Sequence, residues 1–231
     1  MATYVLVPGA GGGVWFWHRL IPELRALGHE AIPVDLPTGD ETAGLKEYAD
    51  AVVDAVDGRP GTIVVAQSMG AFSAPLACAR APIGLLVLLN PMIPRPGEAA
   101  DDWWAATGMV AARAEQAVRE GRTPREDVDL LVDFFHDVPP DVTAEAVAAG
   151  SLPQANRPFG EPWPAAAWPE VPTRVLQGRD DRFFPLDFQR RVARERLGVE
   201  VDETPGGHLS ALSYPAELAG HLDRYRSELG L

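Results

Sequence analysis

Short runs of β-branched and aliphatic residues, each followed by a segment with apolar residues at helical spacing, constrain this chain more than any other feature. The runs are T-Y-V-L-V (Thr3 to Val7), E-A-I-P-V (Glu30 to Val34), T-I-V-V-A (Thr62 to Ala66) and G-L-L-V-L-L (Gly84 to Leu89). The last has almost no polar alternation, which is expected where both faces of a parallel sheet are covered. Helical spacing follows at Trp15 to Leu27, stopped by Gly28, then at Leu45 to Val56 and at Ser68 to Arg80. Alternating strands and helices predict an α/β protein with a mostly parallel, doubly wound sheet and right-handed crossovers.

The rhythm breaks between Pro91 and Pro172, where no strand pattern is evident. Helical spacing there spans Trp103 to Glu120 and Glu126 to Phe135, and prolines and tryptophans gather around F-G-E-P-W-P-A-A-A-W-P. Residues 91–171 are therefore expected to form an inserted helical cap, or lid, on a core made of residues 1–90 and 172–231. The strand pattern resumes at Thr173 to Gln177, with a helix over Leu186 to Leu197, a strand over Val199 to Glu203 and a last helix over Pro215 to Leu229.

A net charge of −13 lacks the basic stripe of a nucleic-acid binder. No apolar stretch approaches the ~20 residues that span a bilayer, and the N-terminus lacks a basic region followed by an apolar one, so a cytoplasmic protein is expected. The single cysteine, Cys78, excludes an intrachain disulfide and a cysteine-based metal site. It reads as a small core residue on a helix. No metal and no cofactor are expected.

In a doubly wound sheet, ligands lie beyond the carboxyl ends of the strands. Ser68 follows the third strand in A-Q-S-M-G-A, Asp180 and Asp181 follow V-L-Q-G, and His208 follows the last strand in T-P-G-G-H. The order serine, aspartate, histidine is that of a nucleophile-elbow hydrolase, whose strained turn needs small residues two positions either side of the serine. Here those are Ala66 and Gly70. Taken alone the pentapeptide equally describes a serine at a helix N-cap. His208 is the candidate general base, and either aspartate of G-R-D-D-R could orient it. The amide of Met69 and that of Ala10, in the P-G-A-G-G-G loop, are the candidate oxyanion donors. That glycine loop does not keep the G-x-G-x-x-G spacing of a dinucleotide site, and no G-x-x-x-x-G-K-[ST] occurs. His18, His29 and His221 read as structural or solvated, whereas His136 could face the lid side of a pocket.

Over nearly its whole length the chain resembles the α/β-hydrolase superfamily. V-L-V-P-G-A-G-G-G-V-W-F-W, A-Q-S-M-G-A, and D-D-R-F-F-P-L-D-F-Q followed by G-G-H are similar to the methylesterase and hydroxynitrile-lyase branch. The resemblance implies the α/β-hydrolase fold with a helical cap, Ser68 as nucleophile, Asp181, four residues before Pro185, as the acid, His208 as the base, and Ala10 and Met69 as oxyanion donors. Members of that branch often carry histidine where this chain has Pro8. The cyanohydrin-cleaving members carry threonine and lysine where this chain has Gly9 and Leu209, which favours hydrolysis over lyase chemistry. Asn90 ends the fourth strand where some hydrolases keep a relocated acid, a role an amide cannot fill.

The expected function is hydrolysis of small, largely apolar carboxylic esters through an acyl-enzyme on Ser68. Trp104, Phe135, His136 and Leu209 are the expected substrate-binding residues, with Trp103, Phe134, Trp163 and Trp168 as further lid aromatics. The alternatives are a small-molecule receptor, or a lyase or cofactor-free oxygenase on the same scaffold. The expected partner is a small-molecule ester, with no nucleic acid and no membrane, acting as a monomer or homodimer.

Overall fold

The computed structural model describes residues 1–231. Six strands form one all-parallel sheet: β1 (Thr3–Val7), β2 (Glu30–Pro33), β3 (Thr62–Gln67), β4 (Ile83–Leu89), β5 (Thr173–Gly178) and β6 (Val201–Thr204), in the order β2-β1-β3-β4-β5-β6. The order reverses at β1, flanked by β2 on one side and β3 on the other, so the crevice at the carboxyl ends of β1 and β3 is the natural binding place.

Strand alternation divides the interior into two cores. On one face Val5, Val7, Val64, Ala66, Leu86 and Leu88 pack with α2 (Leu45–Val56), α3 (Gly70–Ala77) and α8 (Leu186–Leu197). On the other, Tyr4, Leu6, Ile63, Val65, Leu85 and Val87 pack with α1 (Leu20–Ala26) and α10 (Pro215–Leu229). Every residue of β3 is buried, as its unbroken apolar run demands.

The first helical stretch is divided, with a short 3₁₀ turn over Val14–Trp17 before α1. Pro22 explains the division: it has no N–H to give to His18 and is tolerated only in the first turn of a new helix. Between β4 and β5 the chain forms no strand, and its regular elements are all helical: α4 (Ala100–Thr107), α5 (Met109–Arg119), a π-helical turn over Leu130–Phe134, α6 (Pro140–Ala149) and α7 (Arg157–Gly160). The single helix expected over Trp103 to Glu120 is two, because Gly108 takes φ 68° and ends α4 with a left-handed cap. The helix expected over Glu126 to Phe135 shrinks to the π turn, which Asp129 caps by accepting from the N–H groups of Leu131 and Val132. After β6, a short helix α9 (Ser210–Ser213) precedes α10. No helix is long and apolar enough to cross a membrane.

Candidate active site

Ser68 stands between the end of β3 and the start of α3 with φ 50°, a left-handed conformation that costs a non-glycine residue about 1–2 kcal/mol. The surroundings hold it there. Its N–H donates to Leu89 O at 3.0 Å, and its carbonyl accepts from Ala71 N at 3.1 Å and Met92 N at 3.0 Å. Gly70 suits a crowded position: a Cβ there would lie 3.0 Å from the carbonyl oxygen of Pro8 and 3.2 Å from that of Val7, tight enough to push on both backbones. The serine is buried but not sealed, at 8% exposure.

The turn after β5 carries Asp180 and Asp181, and their environments are opposite. The Asp181 side chain is fully buried and accepts four hydrogen bonds. Its Oδ1 takes the N–H groups of Phe183 at 2.8 Å and Phe184 at 2.9 Å; its Oδ2 takes Gln177 Nε2 at 3.0 Å and His208 Nδ1 at 2.8 Å. Asp180 is half-exposed, accepts the Gly206 N–H at 3.3 Å and pairs with Arg179 at 3.5 Å. Asp181 is therefore the carboxylate against the imidazole. Because an ionised carboxylate only accepts, Nδ1 carries the hydrogen and Nε2 keeps its lone pair.

His208 is 1% exposed and ringed by aromatic edges, with the rings of Phe134, Phe183 and Phe184 centred 5.0, 5.3 and 5.0 Å away and close to perpendicular. Its backbone is tied to the strand ends. Asn90 Nδ2 donates to His208 O at 2.9 Å and Gly207 O at 3.3 Å, Asn90 Oδ1 accepts from Gly178 N at 2.7 Å, and Gln67 Nε2 reaches His208 O at 3.4 Å. Gly178 allows this approach, since a Cβ there would fall 2.5 Å from Gly207 O. Gln67, the residue before Ser68, thus joins the serine turn to the histidine turn. The imidazole and the Ser68 hydroxyl are not hydrogen-bonded to each other in this state, and such contacts commonly tighten only around substrate.

Ala10 and Met69 line one narrow cleft together with Pro8, Gly9, Leu45 and Tyr48, and its free volume is about 10 Å³. Neither Ala10 nor Met69 gives its N–H to a protein acceptor, whereas the Gly12 N–H closes a turn onto Gly9 O at 3.1 Å. Two residues with unengaged amides, one of them directly following Ser68, therefore line one crevice. A roomier cavity, about 290 Å³, lies elsewhere, between α5 and the π turn, and none of the expected site residues line it.

The expected substrate-binding residues scatter. Trp104 packs on Phe183, with rings 5.8 Å apart, in the aromatic group that surrounds the imidazole. Phe135 and Leu209 are half-buried against the opposite core, with α1 and α10. His136 stands behind the histidine turn, where a Cβ on Gly207 would meet its Nε2 at 2.7 Å, and burial pulls its pKa below the ordinary imidazole value. Its neighbour Asp137 accepts the Gly207 N–H at 2.6 Å. Cys78 is half-buried with its thiol pushed up to about 12 by burial, which removes thiolate chemistry at neutral pH. No group of three or more metal-ligating side chains gathers anywhere.

Sequence reasoning missed Gln67, Gln177 and Asp137. The two glutamines did leave a signal, as polar residues closing otherwise apolar strands in V-V-A-Q and R-V-L-Q.

Comparison with known proteins agrees with this architecture. The chain is 35% identical to a protein of Oryza sativa described as a probable esterase, PIR7A, over 96% of this chain and 95% of that protein. It is 29% identical to polyneuridine aldehyde esterase of Rauvolfia serpentina over 40% of each chain. Among solved structures, a pyrethroid hydrolase from Sphingobium faniae superposes with a TM-score of 0.74 at 20% identity, covering 98% of this chain and 97% of that one. The methylesterase MES16 of Arabidopsis gives 0.74 at 19% identity over 99% and 100%. With the model of the alpha/beta hydrolase family matching residues 4–221, on a sheet and serine turn of this form, the chain belongs to the alpha/beta hydrolase family.

Proposed function

We propose that this protein is a serine esterase acting on small, largely apolar carboxylic esters. The observation that carries the reading is the buried His208–Asp181 pair, 2.8 Å apart, whose turn is hydrogen-bonded by Gln67, the residue before a serine held in a left-handed turn. The esterase description of the rice relative, at 35% identity over most of both chains, supports the same class.

In this reading His208 Nε2 takes the proton of the Ser68 hydroxyl as its oxygen attacks the ester carbonyl. Asp181 holds the ring in the tautomer that leaves Nε2 free and balances the imidazolium. The N–H groups of Ala10 and Met69 receive the negative oxygen of the tetrahedral intermediate. Collapse expels the alkoxide, which His208 protonates. Water, deprotonated by the same imidazole, then attacks the acyl-enzyme and releases the carboxylic acid with Ser68 restored. Phe134 and Phe183 pack their rings against the imidazole, with Trp104 behind Phe183, and this apolar setting suits an ester without charge close to its carbonyl. Residues 91–171 serve as its lid.

A graded panel of aryl esters, with fluorophosphonate labelling of the wild type and Ser68→Ala, tests the proposal. Labelling and turnover in the wild type, both lost in Ser68→Ala, are expected. Labelling without turnover would replace the esterase with a receptor that retains the nucleophile, and turnover that persists in Ser68→Ala would remove the serine from the chemistry.

A further inference from the structure

Ala10 belongs to a loop that glycine makes soft. Gly11 takes φ 66° and the run Gly9, Ala10, Gly11, Gly12, Gly13 holds one side chain in five residues. Such a loop samples several peptide orientations at little cost, and most of them would turn the Ala10 N–H out of the cleft. One contact from outside restrains it. Gln154, which lies between α6 and α7 and lines the same cleft, accepts the Gly11 N–H on Oε1 at 3.1 Å. Its Nε2 donates to Tyr48 Oη at 3.1 Å and to Ala155 O at 3.0 Å. The amide can face only this way, because reversing it would set its NH₂ against the Gly11 N–H and its oxygen against the Ala155 carbonyl.

The stretch around Gln154 is itself seated on the core. Leu152 lies over Gly13, where a Cβ would meet its Cδ1 at 2.5 Å, and the Ala155 N–H donates to Thr38 O at 2.7 Å. With Gly12 N–H closed onto Gly9 O and Gly11 N–H taken by Gln154, the Ala10 N–H is left without a protein acceptor in a residue that lines the cleft.

We propose that Gln154 is a positioning residue for the oxyanion loop, so that the helical segment over the active site sets one of the two donors that the chemistry uses. The inference rests on the esterase reading and adds to it a remote residue that acts on the transition state rather than on substrate affinity.

The test compares Gln154→Met and Gln154→Glu with the wild type on one aryl ester, together with the rate of Ser68 labelling by a fluorophosphonate. Met removes every hydrogen bond of the side chain, while Glu keeps an acceptor for the Gly11 N–H and can accept a hydrogen bond from the Tyr48 hydroxyl, losing only the bond to the Ala155 carbonyl, from which its second oxygen must turn away. The expected result for Gln154→Met is a fall of about tenfold in kcat with KM within about twofold, and a parallel fall in labelling, as a displaced donor predicts. Gln154→Glu should retain most of the activity. A Gln154→Met enzyme with unchanged kcat, a loss confined to KM, or equal losses in both variants would overturn the proposal. Should Gln154→Met fail to fold, amide exchange in the wild type decides: the Gly11 N–H should exchange more slowly than those of Ala10 and Met69, and equally fast exchange at all three refutes the restraint. A wild type that neither labels nor turns over the ester panel would instead defeat the esterase reading, a separate outcome.

Discussion

Replacing Asp181 by asparagine should disable the enzyme by reversing a tautomer while leaving the fold in place. Asp181 Oδ1 receives two backbone N–H groups, from Phe183 and Phe184, so an asparagine there must keep its oxygen on that side. Its NH₂ then replaces Oδ2, facing Gln177 Nε2 and His208 Nδ1, both donors at present. Gln177 can turn its amide, because its own Oε1 is buried without a partner and becomes available as an acceptor, at the expense of its bond to Phe184 O. His208 has no such freedom. To accept from the new NH₂ it must carry its hydrogen on Nε2, the nitrogen that receives the serine proton in the proposed mechanism. Loss of the correct tautomer in a serine triad costs about 10⁴ in kcat, or about 5.5 kcal/mol of transition-state stabilisation. Asp180→Asn removes only a half-exposed carboxylate with one long bond to Gly206 N, and should change kcat less than about threefold. Measuring kcat and KM for a short-chain aryl ester, with thermal unfolding to verify the fold, separates the two variants. A larger loss in Asp180→Asn, or an Asp181→Asn enzyme within tenfold of the wild type, would refute the reasoning.

Three further outcomes follow from the same geometry. Gln177→Met keeps the volume but leaves the Phe184 carbonyl without its donor, and should lower stability by about 1–2 kcal/mol in denaturant titrations while reducing kcat less than tenfold, since Asp181 retains both backbone donors. Asn90→Ala unpairs Gly178 N, Gly207 O and His208 O together and leaves a Cβ at φ 46°, so a loss of about 2–4 kcal/mol is expected from the shift in denaturation midpoint. His136 is held neutral by burial, opposed by Asp137 and aided by Arg182. Because its folded pKa lies below the unfolded value of about 6.5, the unfolded chain binds the extra proton first, and stability falls as pH drops below that value. His136→Gln should flatten this part of the stability profile, as read by unfolding at pH 7, 6 and 5.

The centre of the sheet was legible because β1, β3 and β4 are nearly continuous apolar runs between turn residues, and Leu45–Val56, Leu186–Leu197 and Pro215–Leu229 start and stop where their periodicity does. The helical segment was less so. Apolar spacing continues through Gly108, so the break between α4 and α5 depends on a left-handed residue that periodicity ignores, and the alanine-rich α6 offers little contrast between its faces. At the site, Ser68, Asp181 and His208 stand in short motifs whose neighbours announce them. Gln154, Asn90 and Asp137 act on partners 143, 117 and 70 residues away in the chain, so their roles belong to the folded topology and leave no local trace.

The lashing of Gly178, Gly207 and His208 through the Asn90 side chain, with no room for a methyl group between the two backbones, makes the aspartate-bearing strand end and the imidazole-bearing loop a single rigid body. Warming therefore cannot loosen the base in advance of the sheet that carries it. Loss of the Asp181–His208 pair should coincide with cooperative melting of the sheet, so that any activity lost below that transition arises in the softer glycine loop and not at the base.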